Sequence, residues 1–139
     1  MRKRRLKPLV QRRLASYPAV ALLGARQVGK TTLAKSLGGS YFDLEQEEER
    51  LRLDLQWEDV TRSRKLTILD EAQAWPQVFT RLRGAIDGDR KRNGRFLLLG
   101  SVSPGLVQQV AESLAGRLAI CELTPFLASE LPEKLETHL

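Results

Sequence analysis

Two short segments of the sequence contain residue types whose spacing suits phosphate and metal chemistry. The first runs from Gly24 to Thr31 and matches the pattern G-x-x-x-x-G-K-[ST] at every position. Such a loop wraps a phosphate with successive backbone N–H groups, and the helix that follows adds partial positive charge. We therefore expect Lys30 to contact the β- and γ-phosphates of a nucleotide and Thr31 to bind Mg²⁺ through its hydroxyl. The other predicted nucleotide-binding residues are Gly24, Ala25, Arg26, Gln27, Val28, Gly29 and Thr32. The alternative is a helix-entry turn that happens to carry a surface lysine.

The second segment is "LTILDE", an apolar stretch from Leu66 that ends in two consecutive acids, Asp70 and Glu71. This pattern is typical of a Walker B strand. Asp70 would then hold Mg²⁺, and Glu71 would orient and polarise the water that attacks the γ-phosphate. Because the carboxyl ends of parallel strands form one edge of a sheet, Gly24 and Asp70 should meet there. The alternative is that the two acids only cap a strand-to-helix turn.

Two further residues have a functional and a structural interpretation, and the sequence leaves both open. Ser101 ends the apolar segment "RFLLLGS" and either senses the γ-phosphate or the attacking water, or only forms a turn. Arg117 follows a helix-ending glycine in "ESLAGR". It either pairs with a surface acid or acts as an arginine finger at the γ-phosphate of a neighbouring subunit. Together with Lys30 and Glu71, these two residues complete the predicted catalytic set.

The elements that must position these residues alternate along the chain between short apolar segments and helical stretches. Strands are predicted at "AVALLG", "YFDLE", "KLTILDE", "RFLLLGS" and "LAICELTP". Helices are predicted over 2–17, 30–37, 47–55, 76–86 and 104–114, with an exposed loop over 87–94. This order predicts an α/β fold, a five-stranded parallel sheet with helices on both faces, because parallel neighbours need crossover connections.

The composition is that of one globular domain, with 139 residues of which 42% are hydrophobic and 29% charged. The net charge of +6 is unevenly distributed, since residues 1–35 contain ten Lys or Arg and no acid. The basic segment Arg2–Lys7 is either a solvated part of a first helix or a surface that attracts nucleic acid or an anionic membrane.

Several classes of function are disfavoured by residues that the sequence lacks. It has one cysteine, Cys121, and one histidine, His138, which argues against an internal disulfide, a cysteine metal cluster and histidine-based catalysis. No [NT]-K-x-D motif follows the phosphate loop, which argues against a GTPase. The apolar run 19–23 is too short for a membrane span or a secretory signal, so we predict a cytoplasmic protein.

Beyond these individual motifs, the chain resembles one family of prokaryotic AAA-type P-loop ATPases over about residues 12–131. The resemblance rests on six collinear segments, "LLGARQVGKTTLAK", "YFDLE", "ILDEAQAWPQVFTRLRGAID", "GRFLLLGSVSP", "ESLAGR" and "ELTPFLASEL". Gln73 in "DEAQ" and the "SLAGR" segment distinguish this group from generic P-loop proteins.

This resemblance implies an ASCE-class sheet with strand order 5-1-4-3-2, in which Glu71 is the catalytic glutamate. Family members continue beyond the "PFLASEL" segment into a long C-terminal part, so the chain resembles an ATPase core alone. The predicted parts are a basic N-terminal helix over 1–17, an AAA-type core over 18–131 and a tail over 132–139.

Two functions are therefore expected from the sequence. The first is slow hydrolysis of ATP, bound with Mg²⁺, by a domain that self-associates or binds a protein partner through its AAA surface. The second is a truncated, non-catalytic module that binds nucleotide or a partner. A nucleic-acid-associated ATPase is a further reading that rests on the basic N-terminus.

Overall fold

The computed structural model describes residues 2–24, 29–123 and 136–138 of the chain. Its strands are β1 (Ala19–Gly24), β2 (Ser40–Asp43), β3 (Thr67–Asp70), β4 (Phe96–Gly100), β5 (Leu118–Leu123) and β6 (Glu136–His138). Its α-helices are α1 (Arg2–Ser16), α2 (Lys30–Ser36), α3 (Glu47–Leu55), α4 (Trp57–Arg62), α5 (Gln77–Asp87) and α6 (Pro104–Leu114). A short 3₁₀ helix, Ala72–Ala74, follows β3.

The strands form one sheet in the order β2-β3-β4-β1-β5-β6. Strands β1 to β5 pair in parallel, and their order is the predicted 5-1-4-3-2, so the predicted fold class is confirmed. Strand β6 pairs antiparallel with β5, with Thr137 opposite Ile120. The sequence predicted only a tail over 132–139, and this sixth strand is an addition to the expected sheet.

Helices cover both faces of the sheet because successive strand residues point to opposite sides. On one face, Ala21 and Leu23 of β1 lie in a buried apolar cluster with residues of α3, α4, α5 and α6. On the other face, Val20 and Leu22 lie in a second cluster with residues of α1 and α2. Strand β1 is therefore buried on both sides, and the protein has three layers.

None of the helices within the described ranges combines the length and the apolar character that a bilayer crossing requires.

Candidate functional site

The carboxyl edge of the sheet brings the predicted motifs together. Parallel pairing aligns Asp43 of β2 with Asp70 of β3, and it aligns Asp70 with Leu99 of β4. Leu99 in turn lies beside Leu22 of β1, two residues before the end of that strand. The end of β1 and Asp70 therefore lie at the same edge, where ligands bind in open parallel sheets.

The phosphate-loop motif enters α2 through Gly29, while Ala25, Arg26, Gln27 and Val28 lie outside the described residues. Gly29 has φ 76° and ψ 24°, a left-handed conformation that glycine adopts without steric cost. Its carbonyl accepts the N–H of Leu33 at 3.0 Å, which begins the hydrogen bonding of the helix. Lys30 is the first residue of α2 and is only 2% exposed. A buried ammonium group needs anions close to it.

Asp70 has two oxygens with different surroundings. Its Oδ2 accepts a hydrogen bond from Thr31 Oγ1 at 3.0 Å and another from the Tyr41 hydroxyl. Its Oδ1 is buried and accepts no hydrogen bond from any residue that the structure describes. Burial and the neighbouring Asp70 carboxylate raise the pKa of Tyr41 above its ordinary value, so the phenol remains a donor at neutral pH.

This arrangement suits a divalent cation. An unsatisfied buried oxygen is normally unfavourable, and a bound cation would satisfy Asp70 Oδ1. Mg²⁺ prefers carboxylate and other oxygen ligands, and the Thr31 hydroxyl lies beside the same carboxylate. The residues present therefore fit Mg²⁺.

Glu71 is held in an unusual backbone conformation. With φ 52°, it is the only non-glycine residue of positive φ in the described part of the chain. A left-handed conformation at such a residue costs about 1–3 kcal/mol and is often found at functional sites. Glu71 is 8% exposed, and its Oε1 accepts a hydrogen bond from Gln73 Nε2 at 2.7 Å.

These residues line a cleft of about 150 Å³, which we call the carboxylate cleft. Its described lining consists of Lys30, Thr31, Asp43, Glu45, Asp70 and Glu71. The four carboxylates in this lining outnumber its one lysine, so the cleft without a cation would repel the oxygens of a phosphate. A bound cation would offset this negative charge.

Asp43 and Glu45 were not among the predicted site residues. Their position could have been predicted in the same way as that of Asp70, because the carboxyl ends of parallel strands form one edge of the sheet. Strand β2 ends at Asp43 and pairs with β3. Tyr41 was also missed as a site residue, since its contact with Asp70 depends on strand pairing across the sheet.

The remaining predicted site residues lie outside this described lining. Thr32 is exposed in the first turn of α2, and Ser101 is half-buried directly after β4. A contact of either residue with nucleotide stays a prediction.

Arg117 directly precedes β5 and so lies at the opposite edge of the sheet from Asp70. Its guanidinium donates to both carboxylate oxygens of Asp87, at 2.8 and 2.9 Å, and to the Ala115 carbonyl at 2.9 Å. Within its own chain Arg117 therefore pairs with a surface acid. A role at the nucleotide of a neighbouring copy stays a prediction.

The chain is similar in sequence to a known protein family and to two mycobacterial proteins, and similar in structure to a solved protein. The sequence profile of a family described as "AAA domain" matches residues 16–132. Uncharacterized proteins of Mycobacterium bovis and Mycobacterium tuberculosis are each 40% identical to the chain over 119 residues. That match covers 83% of this chain and 27% of either relative, so the chain spans about a quarter of their length. The structure of PCH-2 from C. elegans is similar with a TM-score of 0.43 and 14% identity, covering 91% of this chain and 42% of that chain.

Proposed function

Because the chain belongs to the AAA domain family of nucleotide-binding P-loop domains, we propose that it binds Mg²⁺-ATP in the carboxylate cleft and hydrolyses ATP to ADP and phosphate. The observation that supports this most directly is the buried Asp70 Oδ1, which lacks a described hydrogen-bond partner. It belongs to the carboxylate that is contacted by the hydroxyl of Thr31, the last residue of the phosphate-loop motif. An apolar core would exclude such an oxygen, whereas a metal site requires it.

In this proposal, Lys30 and the loop amides hold the phosphates, while Thr31 and Asp70 hold Mg²⁺. When bound, Mg²⁺ would supply positive charge that offsets the four carboxylates and the phosphate oxygens. The Glu71 carboxylate orients the attacking water and accepts its proton. Glu71 suits this role because it is largely buried, lines the carboxylate cleft and directly follows Asp70.

We expect turnover by the 139-residue chain to be slow. Electrostatic preorganisation is a dominant part of catalysis, and closure of lids and loops completes many active sites. The described part of the cleft places Asp43 and Glu45 beside the predicted metal ligands but provides only Lys30 as a cation.

The proposal is tested by titrating ATP in the presence and absence of Mg²⁺ and by measuring phosphate release. Lys30→Ala should weaken ATP binding, and its matched control is the exposed Lys65→Ala. Glu71→Gln should retain binding and lose turnover, and its matched control is the exposed Glu48→Gln. Full ATP affinity in Lys30→Ala would contradict the assignment of the phosphate loop.

The second candidate is a nucleotide-binding or interaction module without catalysis. The chain corresponds to only 27% of the length of its mycobacterial relatives, so their other parts are not represented in it. Mg²⁺-dependent ATP binding with a phosphate release that Glu71→Gln does not change would favour this candidate. Self-association, a protein or nucleic-acid partner and a cytoplasmic location stay predictions.

A further inference from the structure

Gln73 contacts the predicted catalytic carboxylate but has no role in the function proposed above. It lies in the 3₁₀ helix Ala72–Ala74, two residues after Glu71. Its Nε2 donates a hydrogen bond of 2.7 Å to Glu71 Oε1. A hydrogen bond to a charged group is stronger than one between neutral groups, so this contact restricts the orientation of the carboxylate.

The other end of the Gln73 carboxamide is enclosed by β4 and α6. Gln73 Oε1 is buried and has no hydrogen-bond partner among the described residues. A methyl group added at Gly100 would lie 2.7 Å from this oxygen and 2.9 Å from Leu106 Cδ2. Gly100 therefore leaves the space that the carboxamide occupies.

The hydrogen bond to Glu71 fixes which end of the carboxamide faces that residue. Reversing the amide would bring its oxygen against the Glu71 carboxylate, and two acceptors would then repel each other. With the observed orientation, the donor faces Glu71 and the acceptor faces Gly100.

Stability alone does not account for a glutamine at this position. A buried acceptor without a partner costs free energy, and an apolar side chain of similar length would avoid that cost. What an apolar side chain could not provide is the N–H donor to Glu71. A local cost of this kind is expected where a residue serves a site rather than the core.

We propose that Gln73 is a positioning residue that fixes the Glu71 carboxylate for activation of the attacking water, and that Gly100 provides the space for it. The inference rests on the proposed ATPase activity and adds a determinant of its rate. Gln73 acts through Glu71 and is not itself required for nucleotide binding.

The test compares Gln73→Met with wild type in the full 139-residue chain. Methionine preserves the length of the side chain and removes both the donor and the unpartnered acceptor. We expect kcat to fall by about tenfold or more, because small misplacements of a catalytic group are costly, while KM for Mg²⁺-ATP stays unchanged. The urea midpoint should not fall. The matched control is Gln77→Met, at an exposed glutamine that begins α5.

A second variant reaches the same contact from β4. Gly100→Ala should displace the carboxamide and lower kcat, whereas Gly105→Ala should not, because a methyl group there meets no atom within 4 Å. In a Gln73→Met background, Gly100→Ala should add little further loss of kcat, since the two changes remove one interaction.

The possible outcomes separate this inference from the function on which it rests. An active wild type with unchanged or increased kcat in Gln73→Met overturns the inference and leaves the ATPase proposal intact. A fall in kcat that is matched by a fall in the urea midpoint indicates a structural role and also overturns it. Phosphate release by the wild type that does not exceed that of Lys30→Ala contradicts the ATPase proposal, and the inference fails with it.

Discussion

At the scale of the residue, the two oxygens of Asp70 divide their contacts in a way that suits a metal ligand. Both hydroxyl donors, Thr31 and Tyr41, bind Oδ2. The two hydrogen bonds fix the rotation of the carboxylate, while the buried Oδ1 keeps its bonding capacity for another partner. Hydrogen bonds that orient a metal-binding carboxylate in this way affect the affinity of the metal site.

The first prediction concerns Tyr41→Phe, which removes one of these donors and keeps the ring. We expect the apparent affinity for Mg²⁺ in the presence of ATP to weaken by about tenfold, as when other outer-shell partners of metal ligands are removed. Affinity for ATP without Mg²⁺ should not change, because Lys30 and α2 are unaltered. Isothermal titration with ATP, first without Mg²⁺ and then at a series of Mg²⁺ concentrations, measures both effects.

The control for this prediction is Tyr17→Phe, the same chemical change at a half-buried tyrosine directly after α1. Equal Mg²⁺ affinities for Tyr41→Phe and wild type would show that Thr31 alone orients Asp70.

At the scale of the element, the sequence predicted the sheet well because three of its strands, β1, β3 and β4, are buried on both faces. Such strands read as continuous apolar runs, and the helices between them begin and end at local signals. The bounds of α3 and α6 agree with the predicted 47–55 and 104–114. Strand β3 ends at Asp70, one residue before the end of the predicted segment "KLTILDE", and Asp70 lines the carboxylate cleft, as expected at the carboxyl end of a parallel strand.

Helix α4 was missed because its stabilising contacts come from distant parts of the sequence. Trp57 stacks on Phe96 of β4, with ring centroids 6.3 Å apart. At the other end of the helix, Arg92 and Arg95 donate hydrogen bonds to the carbonyl of Thr61 at 3.2 and 3.1 Å. A helix of six residues has little intrinsic stability, so tertiary contacts such as these define it. The contact of Gln73 with Glu71 and Gly100 was likewise not visible in the sequence, because it requires the 3₁₀ turn and β4 together.

The second prediction concerns the ion pair that joins the end of α5 to the start of β5. The hydrogen-bonded Arg117 guanidinium lowers the pKa of Asp87 below its ordinary value of about 3.9. A lowered pKa in the folded state adds stability above the unfolded-state pKa, and that stability is lost as the pH falls through the folded-state pKa. Arg117→Ala should therefore lower the urea midpoint slightly at pH 7, and its difference from wild type should shrink below about pH 4.

The exposed Arg64→Ala serves as the control, and Asp87→Asn should reproduce the effect of Arg117→Ala at pH 7. The same variants test the arginine-finger alternative. If Arg117 acts at a neighbouring copy, Arg117→Ala lowers kcat and Asp87→Asn does not.

At the scale of the whole molecule, the carboxylate cleft depends on both helical layers of the sandwich. Lys30 and Thr31 belong to α2, whose buried Leu33 packs on the same face of the sheet as α1. Asp70 is the last residue of β3 and Glu71 follows it, and Leu69 of this strand packs on the opposite face. The basic N-terminal segment is thus part of a helix that packs against the sheet through Leu6 and Leu9. Helix α1 is a structural layer of the domain, whatever else its charges bind.

The third prediction follows from this role of α1. Leu9 is 2% exposed within the cluster that contains Val20 and Leu22 of β1, directly before the phosphate loop. Leu9→Ala should lower the free energy of unfolding by about 2–5 kcal/mol, because the sheet cannot close the cavity that the side chain leaves. That loss is large against a typical total of about 5–15 kcal/mol. The urea m-value should stay unchanged if α1 unfolds together with the sheet.

The exposed Gln11→Ala is the control. A second, earlier transition in Leu9→Ala, with circular dichroism showing loss of one helix, would instead mean that α1 detaches separately and that the core folds without it.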